Sequence, residues 1–357
     1  MSTPVLTRYL TRMFVTRCLA VLLALSALLQ LLDLLDAAST VLERGGGAGD
    51  LARYIGYRLP VIVEQVVPLS VLVGSLSTLW TLAGANEVVA MRSIGMTPYQ
   101  LLGALFPAAI AVGLLHLVLS DQVVPRVERG FIDWWASTTP PNDEPEVPKP
   151  LWFRLGDQVV TAKVVARDGR RLEGVEVFRR TADGALVARL TAEAAIYDGK
   201  AWTLANVART ELEPTLVTTR AETQPWDTAL TPSNLRDLSA PTDRQPVSRL
   251  RGILRGTYAG TESRAFYQTR LHETYSGPFA TLVMLLLAAP VAHGLRRRGG
   301  AMGNMALGVV IGLAFLLVDG LLAAMGEAGS MPPLVAAWAP TLFFAAVGGA
   351  ILVHVEG

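Results

Sequence analysis

The residue motifs that usually carry catalysis are missing or incomplete in this sequence. Its four histidines stand far apart, and neither an H-E-x-x-H motif nor a cysteine pair accompanies them, so a zinc site is not expected. No G-x-S-x-G nucleophile elbow occurs. Residues 294–303 combine glycines and arginines without the spacing or the lysine of a phosphate-binding loop. We therefore expect no bond-making chemistry, no cofactor and no metal. The histidines are His116, His272, His293 and His354.

Residues 86–98 are a better candidate for a functional contact. Asn86 can cap a helix, and Glu87 is favourable at its positive end. Gly95 can end that helix, with Pro98 shortly beyond. The pattern predicts a two-turn helix over 86–95, and its residues alone fit a helix resting on lipid as well as one docking onto a partner. Its exposed apolar side chains would be Val88, Val89, Met91 and Ile94, around Glu87 and Arg92.

The composition shows which elements must position that helix. Apolar residues make up 51% of the 357 residues and charged residues 17%, fewer than the roughly 25% of a soluble protein. Of the 31 basic and 30 acidic residues, 42 lie between Asp121 and Glu273. The two arms hold only the remaining 19 charged residues, which indicates a membrane protein with a polar middle. The net charge of +1 says nothing about nucleic acid, but the lack of any basic cluster with interleaved aromatics gives no sign of a nucleic-acid partner.

Six runs are apolar enough to cross a membrane, which takes about 20 residues of helix. The first reaches that length if Arg17 extends to one interface and Asp33 and Asp36 lie at the other. A cleaved signal peptide is the alternative for that run, but its apolar core is long and its cleavage match only fair. The predicted spans are 18–32, 65–86, 93–120, 274–295, 299–318 and 328–355.

The arginines in the short loops predict the orientation. Seven fall on the side of the termini and three on the other, which places both termini in the cytoplasm and the polar middle outside. Two acids near the spans, Glu64 and Asp319, could line a pathway or lie at the outer interface. The seven are Arg8, Arg12, Arg17, Arg92, Arg296, Arg297 and Arg298, and the three are Arg44, Arg53 and Arg58.

The polar middle reads as strands followed by helices. Residues 140–150 form a proline-rich linker. Short strand patterns separated by Asp-Gly turns then predict an all-β sandwich or roll. After Pro241 we expect a helix over 250–258, capped by Ser248, and a helix over 262–275 that runs into span four. The predicted strands are 151–154, 158–165, 172–179, 185–192, 195–197, 201–207 and 216–223.

Several stretches, in this order and on this topology, resemble the LptF/LptG (YjgP/YjgQ) permeases of the lipopolysaccharide exporter. The resemblance covers nearly the whole chain, and residues 57–60 and 87–95 are closer to the LptG branch than to LptF. The stretches are Asn86-Glu-Val-Val-Ala-Met-Arg-Ser-Ile-Gly95, Leu151-Trp-Phe-Arg-Leu-Gly-Asp157, Ala192-Glu-Ala-Ala-Ile-Tyr-Asp-Gly-Lys-Ala-Trp202, Pro278 and Pro290 around span four, and Pro332-Pro-Leu-Val-Ala-Ala-Trp-Ala-Pro340.

The resemblance implies a polytopic α-helical protein of the inner membrane, with six transmembrane helices (3+3) and an inserted periplasmic β-jelly-roll-like domain. Two such permeases would form a cavity that takes lipopolysaccharide from the outer leaflet. The implied partners are the ATPase LptB as a dimer, the paralogous permease LptF, LptC and the bridge protein LptA. The implied organisation is 1–121 for spans one to three with the coupling helix 86–95, 122–150 for a linker, 151–230 for the β domain, 231–272 for a helical connector and 273–357 for spans four to six.

The resemblance also implies which residues meet the ATPase. The 86–95 helix would lie in an ATPase groove, with Glu87 and Arg92 making polar contacts and apolar residues packing. The expected coupling residues are Glu87, Val88, Ala90, Met91, Arg92, Ile94 and Gly95.

The outer end of span one departs from the family pattern. LptG proteins can carry basic residues there, where lipid A phosphates are held, whereas this chain has Asp33 and Asp36. We hypothesise that Arg44, Arg53 and Arg58 take over, with or without bridging divalent cations. The alternative is that these arginines only decorate a solvated loop.

Three other functions remain open at this point. The chain could be a non-transporting ABC-type membrane protein that transmits force to a periplasmic partner. It could be a membrane-anchored hydrolase that uses the β domain for binding, although no convincing nucleophile and base are found. It could also be the LptF-like subunit of the same exporter.

Overall fold

A computed structural model describes residues 4–84, 87, 93, 98–138, 150–164, 169–181, 185–212, 216–239, 244–294 and 301–356. The chain divides into two compact units. One, the membrane unit, combines Met1–Thr138 with Thr269–Gly357 and is helical. The other, the β unit, is Thr139–Gln268.

Long helices make up the described part of the membrane unit. The first three are α1 (Pro4–Glu43), α2 (Ala48–Gly84) and α3 (Pro98–Val118), and α4 (Val124–Ser137) follows α3 closely. The shorter α5 (Pro232–Ser239) and α6 (Val247–Leu254) belong to the β unit. The last three are α7 (Arg264–Gly294), α8 (Ala301–Glu327) and α9 (Pro333–Glu356).

Five helical stretches in the described residues are long and apolar enough to cross a membrane. They correspond to predicted spans one, two, three, five and six. Predicted span four, 274–295, falls on α7 and extends past its last described residue. The helical membrane protein with an inserted all-β domain is thereby confirmed. The five stretches are Val5–Glu43, Ala48–Leu82, Gln100–Ser137, Ala306–Glu327 and Pro333–Val353.

The third span continues further than the sequence predicted. A π-helical turn, Leu119–Val123, joins α3 to α4 without a break, so the predicted linker 122–150 begins as a helix. Pro125, which has no backbone N–H to donate, lies just after this π-helical turn. Phe131, Trp134 and Trp135 share one face of α4. Their spacing could have predicted this helix from the sequence, but a search for uncharged runs passes over a segment with this many charges.

Small residues bring the membrane helices close together. A Cβ on Gly74 of α2 would lie 2.5 Å from the Sγ of Cys18 and 2.8 Å from its Cα, so α1 and α2 touch there. A Cβ on Gly312 of α8 would lie 2.0 Å from Leu72 Cδ2. These glycines let helix backbones approach as they do in other membrane proteins. Leu10, Phe14, Leu72, Leu79, Leu82, Leu105 and Phe315 are among the fully buried residues of the surrounding core.

The β unit contains six antiparallel strands in one sheet, and each pairs with its neighbour in the chain. The segments predicted as 185–192 and 195–197 are one strand, because no turn residue interrupts the run between them. The described strands form one sheet and not the two sheets of a sandwich. They are β1 (Leu151–Leu155), β2 (Gln158–Val164), β3 (Arg171–Arg180), β4 (Leu186–Tyr197), β5 (Trp202–Glu211) and β6 (Val217–Trp226).

Helix α5 and a buried tryptophan complete the core of the β unit. Leu235 and Leu238 of α5 are buried in the same cluster as Phe153 and Leu204. Trp202 is 1% exposed, and its Nε1 donates to the carbonyl oxygen of Leu230 at 2.8 Å. The indole therefore fixes the chain that leads from β6 into α5.

The helices that follow begin partly where the sequence placed them. Ser248 is not a cap, because α6 starts at Val247 directly after Pro246, whose extended backbone ends the preceding loop. The helix expected over 262–275 is α7, and Ser263 caps it by accepting a hydrogen bond from the Phe266 N–H at 3.1 Å.

Replacing Trp202 by phenylalanine should loosen the β unit. The change leaves the buried Leu230 carbonyl without its donor, which costs about 1–3 kcal/mol. Native-state amide hydrogen exchange of β4 and β5 measures this loss. Trp152→Phe is the matched control, because Trp152 is 53% exposed and stacks on Phe178 at the surface. Equal exchange in the two variants would contradict the assigned role of Trp202.

Candidate functional site

Five aromatic side chains of α2 and α4 form one contiguous cluster in the membrane unit. Adjacent ring centroids are 5.5 to 6.1 Å apart. The spacing of three residues along α2 places both tyrosines on the face that meets α4. This aromatic cluster consists of Tyr54, Tyr57, Phe131, Trp134 and Trp135.

The turn between α1 and α2 brings one arginine to this cluster. Gly45 adopts the left-handed backbone (φ +79°) that ends α1, and the Gly46 N–H donates to the Val41 carbonyl at 3.0 Å. Arg44 stands just before this turn. Its Cζ lies 4.2 Å from the Trp135 ring centroid, and its Nη1 donates to the Trp135 carbonyl at 3.2 Å. The guanidinium is therefore held against the face of the indole.

A second arginine approaches the same cluster from the first turns of α2. The Cζ of Arg53 lies 5.7 Å from the Trp134 ring centroid and 6.0 Å from that of Tyr57. Such cation–π contacts engage the face of a guanidinium and not its in-plane N–H donors. Those donors have the planar fork that suits a phosphate or carboxylate. The arrangement can thus present positive charge from an aromatic platform.

The third arginine of the hypothesised set has a different partner. Arg58 Nη2 lies 2.7 Å from Asp33 Oδ1, and Arg58 Nε donates to both carboxylate oxygens at 3.2 Å. The side chains of Arg58 and Asp33 are 32% and 20% exposed. The pair joins α1 to α2 and balances the acid that departs from the family pattern. The structure therefore brings Arg44 and Arg53 to the aromatic cluster and commits Arg58 to Asp33.

Only part of the predicted coupling helix can be described. Glu87 and Ser93 are helical, with Glu87 half-buried and Ser93 exposed. The hydroxyl of Tyr9 in α1 donates to Glu87 Oε1 at 3.4 Å, so this acid lies beside the start of the first helix. The other expected coupling residues, Val88, Ala90, Met91, Arg92, Ile94 and Gly95, lie outside the described residues.

Arg17 makes a contact that differs from the sequence prediction. Instead of extending to an interface, it donates to the Ser77 hydroxyl at 2.9 Å, to the Thr81 hydroxyl at 2.6 Å and to the Ser77 carbonyl. Ser77 and Thr81 are four residues apart and so share a face of α2. The four-residue spacing of these two hydroxyls was the feature of the sequence that could have indicated a polar contact on this face of α2. The contact ties the first half of α1 to α2.

The spans and the inserted sheet together define a multi-pass membrane protein with an inserted β domain. The sequence model of the family described as lipopolysaccharide export system permease LptF/LptG matches residues 8–354. The chain therefore belongs to this family, as its motifs indicated.

A curated relative shows the same likeness. The chain is 24% identical over 348 residues to the lipopolysaccharide export system permease protein LptG of Haemophilus influenzae (strain ATCC 51907 / DSM 11121 / KW20 / Rd), and the match covers 95% of each chain. As a member of a permease family, the protein is a membrane subunit of a transporter and not an enzyme. Its spans and its family make it a multi-pass protein of the inner membrane.

Proposed function

We propose that this chain extracts lipopolysaccharide from the outer leaflet of the inner membrane and passes it to a periplasmic β bridge, powered by a separate ATPase. The observation that carries the proposal is the match to the family across residues 8–354, which spans the membrane helices and the inserted sheet. The termini are cytoplasmic and the β unit periplasmic, in agreement with the seven-to-three distribution of loop arginines.

The proposed partners follow from the family. They are a dimer of the ATPase LptB, the paralogous permease LptF, LptC and the bridge protein LptA. The 86–95 helix would contact the ATPase through Glu87 and its neighbours. Glu87 supports this role because it is helical and half-buried, and because the contact from Tyr9 links it to α1.

The phosphates of the lipid would be held at the aromatic cluster by Arg44 and Arg53. Both guanidiniums lie against tryptophan rings, which restricts their movement and lowers the entropy cost of binding an anion. Charge-assisted hydrogen bonds from arginine to phosphate are stronger than neutral ones. Arg58 would contribute through its pairing with Asp33 and not through the lipid.

A pull-down of the wild-type protein and the Glu87→Arg variant tests the proposal. Lipopolysaccharide and any associated ATPase are measured in the same sample. We expect the wild type to retain both and Glu87→Arg to lose the ATPase while keeping the lipid, because reversing the charge opposes the polar contact. Glu222→Arg is the control, since it reverses an exposed charge of β6.

Each other outcome of the pull-down has a definite meaning. A wild type that brings neither the lipid nor an ATPase would overturn the proposal. An ATPase without lipid would favour the non-transporting, force-transmitting alternative. Loss of the ATPase from Glu222→Arg as well would remove Glu87 from the coupling site.

A further inference from the structure

The β unit contains a cavity of about 150 Å³ that the proposed function does not use. It lies between the turn that follows β1 and the chain that runs from the end of α6 to the start of α7. Its lining comes from two segments far apart in sequence, residues 154–156 and residues 253–267. A water molecule takes up about 30 Å³, so the cavity is large enough for a phosphate group and a few waters.

Glycines and one buried tyrosine form the floor of this cavity. Gly156 and Gly256 both have left-handed backbones, and a Cβ on Gly256 would lie 2.9 Å from the Gly156 Cα. A Cβ on Gly260 would lie 2.7 Å from the ring of Tyr267, which is 3% exposed. Two backbone hydrogen bonds, of 2.7 and 3.0 Å, join Arg154 to Gly260. The floor is therefore held in one arrangement.

The walls of the cavity carry an excess of positive charge. Arg154, Arg255 and Arg264 line it, and Glu262 is the one acid among its lining residues. Within the described part of the chain, none of these arginines has an ion pair or a side-chain hydrogen bond.

Three arginines on the sheet of the same unit have acidic partners instead. Arg171, Arg189 and Arg209 pair with glutamates on the sheet at 2.7 to 3.0 Å. Arg154, Arg255 and Arg264 give the cavity lining more positive than negative charge, and a bound anion would offset that excess. What distinguishes the cavity is that three arginines and a single acid line the same space of about 150 Å³.

We propose that the cavity binds a phosphate group, and specifically a phosphate of the saccharide part of lipopolysaccharide. The assignment of this phosphate to lipopolysaccharide rests on the proposed function. Guanidiniums match the geometry of phosphate oxygens and can bind them through two parallel N–H bonds. The Tyr267 hydroxyl accepts the Glu262 backbone N–H at 3.2 Å, which leaves its own proton to donate. The sugar that carries the phosphate would stay outside the cavity.

Calorimetric titration of the purified full-length chain with inorganic phosphate tests the site itself. We expect Arg154→Gln/Arg264→Gln to weaken phosphate binding at least about 10-fold, since two charge-assisted hydrogen-bond donors are lost. Arg255 is not substituted in this variant, because it is the residue that ends α6. The control, Arg189→Gln/Arg209→Gln, removes the same charge from the sheet surface and should bind like the wild type.

A variant that should strengthen phosphate binding distinguishes loss of the site from damage to the fold. Glu262→Gln removes the acid from the cavity, so phosphate should bind roughly 2- to 5-fold more tightly. A damaged fold would weaken binding in every variant. No measurable binding by the wild type, or equal weakening in the pocket and control variants, would overturn the site.

The source of the phosphate is tested with lipopolysaccharide micelles, the same material after dephosphorylation, and phosphatidylglycerol vesicles. Binding that falls on dephosphorylation and in Arg154→Gln/Arg264→Gln supports the lipopolysaccharide assignment. Phosphate binding without that dependence overturns the assignment in favour of free phosphate. Equal dependence on the vesicles overturns it in favour of a phospholipid headgroup. The phosphate titration stands even if the pull-down rejects the export function, so the two failures can be told apart.

Discussion

Replacing Arg44 and Arg53 together by glutamine should remove most of the lipopolysaccharide that purifies with the protein. Each arginine supplies charge-assisted hydrogen bonds worth about 1.5–3 kcal/mol. Their joint loss should weaken retention of the lipid by roughly 100-fold or more. Glutamine still covers part of the tryptophan surface, so the aromatic cluster should keep its packing. Quantifying bound lipopolysaccharide per mole of purified protein measures the effect.

Two control variants locate that effect. Arg189→Gln/Arg209→Gln removes the same charge from the sheet and should retain the lipid. Asp33→Asn/Arg58→Gln removes the ion pair between α1 and α2 without a net change of charge, and it should also retain most of the lipid. If this second variant loses as much lipid as the Arg44/Arg53 variant, the assignment of Arg58 to a structural pair is wrong.

Gly74→Val should prevent α1 and α2 from packing and leave little folded protein. The first added carbon would meet backbone atoms of Cys18 at 2.8 Å, and a backbone cannot move aside as a flexible side chain can. Overpacking of a core costs typically about 1–3 kcal/mol, and we expect a cost at or above the upper end of that range here. Thermal unfolding and the monodisperse fraction in detergent measure it.

Gly56→Val is the matched control on the same helix. A Cβ at Gly56 meets nothing within 4 Å, while the change in helix propensity is the same. Normal stability of the Gly74 variant would mean that α1 and α2 do not cross where the structure places them.

The sequence alone predicted the parts of the fold that depend on local patterns. Charge-free runs located the spans because a membrane tolerates few charges in a helix. Turn residues located hairpins: Gly156-Asp157 is the two-residue loop between β1 and β2, and the positive φ of Gly156 suits the twist of paired strands. The same rules missed α4, because a search for uncharged runs rejects an amphipathic helix. They also split β4 in two where the alternation was weak.

The candidate site depended on contacts that local patterns do not encode. Arg58 meets Asp33 across 25 positions, and Arg44 meets Trp135 across 91. The arginines could be named from the charge of one loop, but their partners could not. The transported lipid and the docking role of the 86–95 helix came from family resemblance, since the residues themselves indicated only a membrane protein with a β domain and a short helix after span two.

Transfer of lipopolysaccharide out of proteoliposomes tests the central claim most directly. The chain is reconstituted with the second permease and the ATPase that purify with it, and lipid reaching a soluble bridge protein in the medium is measured with and without ATP. The account predicts transfer that requires ATP and stops in Glu87→Arg. ATP hydrolysis at a normal rate while the lipid stays in the vesicles would contradict it.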